Sequence, residues 1–204
     1  MTECCQSDKT QTQVAEIEDL IRRKREELIA LLKSSQKKDV SDYQFAGHDG
    51  KKIELSKLFG SKDDLIVIHN MGQRCPSCTM WADGFNGIVD HLQDRAGFVV
   101  ISNDDVETQR KFKASRGWKF PMVSAKDTSF FEDMGFAHPA DSPESKAWGR
   151  FAPGVSTFKK QANGKITRVA SRNFGPGDDF CSTWHMFDLL GDGMEGWEPK
   201  FRYV

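Results

Sequence analysis

The run Leu65-Ile66-Val67-Ile68-His69-Asn70-Met71-Gly72-Gln73-Arg74-Cys75-Pro76-Ser77-Cys78-Thr79-Met80-Trp81 decides how the rest of the chain is read. Its first five residues are almost wholly apolar and rich in β-branched side chains, as in a central strand covered on both faces. From Cys78 onward, apolar residues at Trp81, Phe85, Ile88, Val89 and Leu92 keep helical spacing. Two cysteines separated by two residues therefore stand at a strand-to-helix junction, with Cys75 near the helix N-terminus.

Downstream, Phe98 to Ser102 reads as a second buried strand, and Asp104 with Glu107 as a capping box opening a helix that Gly117 stops. This βαβα alternation implies parallel strands with right-handed crossovers, whose ligands sit beyond the carboxyl ends of the strands. The cysteine motif lies at that end. Trp118 to Ser124 reads as extended, Phe130 to Gly135 as a short helix and Ala137 to Pro153 as a long loop with three prolines, of the kind that serves as a lid or contact surface. Val155 to Lys159 and Ile166 to Ser171 form a hairpin across Asn163-Gly164, and a last helix runs from Asp179 to Leu190. The tail from residue 191 to 204 is irregular but too aromatic to be fully free. Upstream, residues 43 to 55 form another hairpin around Asp49-Gly50, Ser34 to Val40 a polar linker, and Val14 to Leu32 one amphipathic helix interrupted by Arg22-Arg23-Lys24-Arg25. The domain reading is a tail, helix and linker over 1–40 and one α/β domain over 41–204.

With 204 residues and 38% hydrophobic content, one compact domain with appendages is expected. Twenty-nine basic and thirty acidic residues leave a formal charge of −1, so no global field draws the chain to nucleic acid or to an anionic membrane. No stretch approaches a spanning length, and the first thirteen residues lack a signal-peptide pattern, so a soluble, cytoplasmic protein is the expectation. Five cysteines, an odd number, argue against a structural disulfide framework and for reduced thiols, a metal site or catalysis. Cys4 and Cys5, in the polar tail, are expected to be inert, mobile thiols.

At a helix start, two cysteines so spaced can close a small disulfide ring, and the helix dipole favours the first thiolate. Cys75 is then the attacking thiol and Cys78 the resolving one. Arg74 adds a positive charge beside Cys75, Pro76 stiffens the turn, and Ser77 completes it. The competing readings are an inert structural pair and half of a zinc site; the α/β context favours a redox dithiol in a thioredoxin-like, three-layer fold with a central mixed sheet and an added N-terminal helix. Asp178 as N-cap would put Cys181 in the first turn of the last helix, as a third redox thiol or, with His185 and the dithiol, a zinc ligand; a bland buried cysteine is the simpler reading.

The strand at 65–71, Cys75-Pro76-Ser77-Cys78, Trp81-Ala82-Asp83-Gly84-Phe85-Asn86-Gly87 and Gly117-Trp118-Lys119-Phe120-Pro121 together resemble a bacterial thioredoxin-like family of uncharacterised function, described as predicted dithiol-disulfide oxidoreductases, over residues 42–203. The resemblance implies a thioredoxin fold and no particular substrate. Thioredoxins carry a buried carboxylate six residues before the first cysteine; that place is His69 here, a candidate proton carrier for Cys78. Where thioredoxins set a proline before the strand facing the dithiol, the alignment puts Val155, with Pro153 two residues early. Peroxiredoxins share the fold but need a threonine three residues before their cysteine, and Gly72 stands there. The expected activity is thiol-disulfide exchange without a cofactor, on a disulfide-containing protein or small thiol, with an electron donor of unknown identity. The alternatives are a protein-binding module, a zinc-stabilised domain and, behind these, a peroxidase. A homodimer through the N-terminal helix is the candidate assembly.

Overall fold

The structure, a computed structural model, describes the backbone of residues 2–203 and the side chains of residues 9–203. Cys4 and Cys5 thus lie outside the described side chains. The chain separates into two units, residues 1–37 and 38–204.

The first unit is α1 (Thr2–Ser35), longer than its apolar periodicity indicated. Its basic run is met by its own acids one turn away: Arg22 pairs with Asp19 and Glu26, Arg23 with Asp19, and Lys24 with Glu27. Such pairs lend a long helix a few tenths of a kcal/mol each, about 0.3–0.5 kcal/mol.

The second unit runs β1 (Lys38–Val40), β2 (Gln44–Gly47), β3 (Lys52–Glu54), α2 (Leu55–Leu58), β4 (Asp64–Asn70), α3 (Pro76–Arg95), β5 (Gly97–Ser102), α4 (Val106–Arg116), β6 (Met122–Ser124), α5 (Phe130–Met134), α6 (Pro143–Trp148), β7 (Gly154–Lys160), β8 (Ile166–Asn173) and α7 (Ser182–Phe187). One mixed sheet has the order β1-β8-β7-β4-β5-β6-β2-β3. β4, β5 and β6 are parallel neighbours, and β7 returns antiparallel on the other side of β4. The apolar run at 65–69 is therefore central, as its lack of alternation requires.

Strand parity sorts the core into two layers. Leu65 and Val67 of β4, with Val99 and Ile101 of β5, pack against Phe59, Phe130, Phe131 and Phe136 on one face. Ile68, Phe98 and Val100 pack against Trp81, Phe85 and Val89 of α3, and against Trp118 and Trp184, on the other. Helices thus cover both faces of a mixed sheet, the expected three-layer α/β arrangement. Asp83 ties α3 to the end of α4, accepting from Arg116 and from Trp118 Nε1 at 2.8 Å.

Four local readings change. Residues 38–40, read as linker, form an edge strand on β8, anchored where Thr167 Oγ1 donates to Asp39 at 3.0 Å. The long loop contains α6, started by Ser142, whose hydroxyl accepts from Ser145 N–H, and by Pro143 at its first position. Asp105, not Asp104, caps α4, accepting from Thr108 N–H at 2.9 Å. The last helix is only Ser182–Phe187, because Asp178 uses its carboxylate on Gly175 and Phe180 N–H and on Trp81 Nε1 rather than as a cap.

The close approach of β7 to the aromatic layer gives a test. A methyl group on Gly154 would meet the Phe136 ring and lie 2.5 Å from the Arg172 carbonyl oxygen. Gly154→Ala should cost about 2 kcal/mol through overpacking, read as a lower midpoint in chemical denaturation at unchanged slope.

Candidate active site

A four-residue turn, 71–74, leads from β4 into α3 and fixes the dithiol. Asn70, at the end of β4, accepts from Gly72 N–H at 2.8 Å, in an Asx-type turn. Gly72 has φ +101°, a conformation that glycine adopts without strain. A side chain there would also be blocked, since its Cβ would lie 2.6–2.8 Å from the Asp104 carboxylate. That carboxylate, just past the end of β5, accepts from Gln73 N–H at 2.7 Å. The turn closes with Cys75 N–H on Gly72 O at 3.2 Å.

Cys75 is the N-cap of α3, with extended backbone, and Pro76 occupies the first helical position. Its Sγ accepts from Cys78 N–H at 3.0 Å, and its carbonyl takes both Thr79 N–H and the Thr79 hydroxyl. Cys75 is half-buried and Cys78 fully buried, and both are free thiols. The hydrogen bond from the Cys78 thiol, then the Cys78 and Ser77 amides, hold the Cys75 thiol below its ordinary range, although partial burial opposes them. Burial, followed by the Cys75 sulfur as hydrogen-bond partner and charge, pushes Cys78 well above its own. The outer sulfur thus gives up its proton more readily than the inner one.

Arg74 does not supply the field expected of it at Cys75; its charge is felt at Asp104, whose carboxyl burial pushes up. Ser77 contributes through its amide. Val155 stands inside β7, opposite Ile68 and buried on the α3 face, because β7 begins at Gly154. The residue immediately before that strand is Pro153, whose carbonyl accepts from Phe174 N–H at 2.9 Å.

His69 is not brought to the dithiol. It shares parity with Leu65 and Val67, so its ring enters the aromatic layer away from α3, stacked on Phe136 at 3.8 Å and bracketed by Phe130 and Phe131. Nε2 lies 2.8 Å from Ser156 Oγ, and Nδ1 has no partner. Burial, with a smaller contribution from the Arg168 charge, pushes its pKa down to about 3. A ring that stays neutral and hydrogen-bonded on the far face is a core histidine, not a proton carrier for Cys78. Cys181 caps no amide; it is buried among Trp81, Phe174 and Trp184. His185 faces Asp188 at the surface, 3.8 Å away. Among the described residues no three His, Cys, Asp or Glu side chains come together as metal ligands, so Cys181 and His185 do not complete a site with the dithiol. Asn70 and Asp104 are the site residues that the motif did not reveal. The only local signal was a polar residue closing an apolar strand.

The description "Bacterial protein of unknown function (DUF899)" belongs to the family model that matches residues 6–201. No curated protein matches the chain. Among solved structures, the peroxidoxin BcpB from Mycobacterium tuberculosis superposes with a TM-score of 0.51 at 22% identity, covering 66% of this chain and 82% of that one. Reduced Prx3 from Vibrio vulnificus, in complex with H2O2, gives 0.55 at 13% identity over 71% and 90%. A peroxiredoxin-like protein from Aquifex aeolicus gives 0.50 at 18% over 67% and 73%. These likenesses establish a thioredoxin-like fold. No described helix is long and apolar enough to cross a membrane.

The placement of His69 predicts a pH dependence. In the unfolded chain the ring protonates near pH 6.5, whereas in the fold it does so only near pH 3. The unfolded state therefore binds more protons between these values, and His69's contribution to stability is lost as pH falls through that window. From pH 6 to pH 4 the natural chain should lose about 2 kcal/mol more than His69→Phe, by denaturation at each pH. Equal losses would contradict the burial argument.

Proposed function

Since the chain belongs to the DUF899 family of bacterial proteins of unknown function, whose description supplies no reaction, we propose one from its own chemistry: thiol-disulfide exchange by Cys75 and Cys78. The observation that carries this reading is the sulfur of half-buried Cys75, at the start of a twenty-residue helix and hydrogen-bonded by the Cys78 amide. A thiolate held there attacks one sulfur of a substrate disulfide and releases the other as a thiolate that takes up a proton. The mixed disulfide on Cys75 is then attacked by Cys78. Cys78 gives up its proton in that step, and the second thiol leaves as the Cys75–Cys78 disulfide closes. Two electrons pass from the dithiol to the substrate, and an external thiol donor restores the dithiol.

Because no titratable side chain lowers the Cys78 thiol, the departing substrate thiolate is the natural acceptor for its proton. The oxidoreductase description suggested by the resemblance agrees with this reading. Peroxide reduction, the chemistry associated with the fold's peroxiredoxins, gains nothing from position 72, where the Asp104 carboxylate leaves no room for the hydroxyl-bearing side chain that chemistry calls for.

Cys75→Ser should lower disulfide reduction by about a hundredfold or more, because the nucleophile is gone. Cys78→Ser should instead accumulate a mixed disulfide on Cys75, visible as an adduct in intact-mass spectrometry. In the natural chain, iodoacetamide should modify Cys75 with a midpoint below the free-cysteine value of about 8.5 while Cys78 stays protected. Full reductase activity in Cys75→Ser would end this reading.

A further inference from the structure

A cleft of about 440 Å³ adjoins the turn that carries the dithiol, bounded by Gln73 and Arg74 on one side and by the residues that follow β5 on the other. Its size falls at the lower end of small-molecule sites, roughly 300–1,000 Å³. Its charged groups are of both signs. Arg74 and Lys126 contribute cations, and among the described residues neither makes an ion pair; Asp104 and Asp105 contribute carboxylates. Asn103 also lines the cleft. Met71 and Phe151 supply apolar lining.

A purely anionic ligand would meet Asp104 and Asp105, and a purely cationic one would meet Arg74 and Lys126. A ligand bearing an ammonium and a carboxylate a few bonds apart satisfies both pairs. We propose that this cleft recognises the zwitterionic end of a small disulfide derived from an amino-acid thiol, holding it beside Cys75. The proposal rests on the exchange chemistry assigned to Cys75 and adds the class of substrate.

Placed so, the carboxylate faces Arg74 and Lys126, and the ammonium faces Asp104, whose half-buried carboxyl gains most from a cation because burial disfavours its charge. Asp104 also accepts from Gln73 N–H, so ligand and loop share one group. The reaction remains balanced as before: the dithiol loses two electrons and two protons, and one disulfide becomes two thiols.

The test uses full-length reduced protein and follows formation of the Cys75–Cys78 disulfide under pseudo-first-order conditions. The oxidants are cystine (a zwitterion at each end), oxidised glutathione (a zwitterion and one further carboxylate at each end), cystamine (dicationic), dithiodipropionate (dianionic), hydroxyethyl disulfide (neutral) and insulin (protein disulfide). Cystine or oxidised glutathione should react about tenfold faster than hydroxyethyl disulfide, the factor that a charge-assisted hydrogen bond supplies. Whichever of the two is faster identifies the source of the zwitterion. The ratio of that rate to the hydroxyethyl disulfide rate should fall about tenfold in Asp104→Asn and severalfold in Lys126→Gln, the latter a surface change that serves if the former misfolds. Equal rates across the small disulfides, or a preference for cystamine, dithiodipropionate or insulin, overturn the proposal while leaving exchange at Cys75 intact. No reaction with any oxidant overturns both.

Discussion

The short turn between β4 and α3 is held by a carboxylate from a different part of the sheet, and the site depends on that arrangement. Asp104 follows β5, yet it accepts from the Gln73 amide and lies against Gly72, where any Cβ would collide with it. Asn70 holds the same turn from the β4 side. With both in place the chain must enter α3 with Cys75 as its extended N-cap, so that its sulfur meets the Cys78 amide. The asymmetry between the two thiols follows from this entry geometry, since the Cys78 thiol and the amides at 77 and 78 are what lower Cys75.

The sheet divides labour between its faces. On the face covered by α3, tryptophan and phenylalanine side chains fix the helix that carries the dithiol. On the other, a cluster of phenylalanines encloses His69. Burial of that ring without a partner on Nδ1 is a cost that the stacking and the Ser156 contact must offset, because an unmade hydrogen bond in the interior is unfavourable by roughly 1–3 kcal/mol.

Much of this was legible in the sequence. The apolar run at 65–69, the helical spacing after Cys78 and the second strand at 98–102 gave the central α/β frame, because local periodicity records burial directly. What escaped was non-local. Choosing Asp104 over Asp105 as a cap fails from sequence because the turn at 71–74 competes for Asp104. α6 lies in a surface segment without a buried face, so it leaves no apolar period, and β1 is three residues on an edge. His69 was misassigned by counting back from Cys75 when strand parity was the better guide: residues 65, 67 and 69 share a face, and α3 lies on the other. Arg74 was adjacent to Cys75 in sequence, but the charge of a long side chain acts wherever its head group lies.

The closed corner at Gly72 also bears on how this chain can diverge. As long as position 104 carries a carboxylate aimed at the turn, position 72 admits only glycine; a hydroxyl or methyl there requires residue 104 to shrink or turn away, and with it the Gln73 contact. The two positions, thirty-two apart in sequence, are thus expected to change as a pair among relatives. A relative with a side chain at 72 would reach its cysteine through a differently shaped turn, and its chemistry should be inferred afresh.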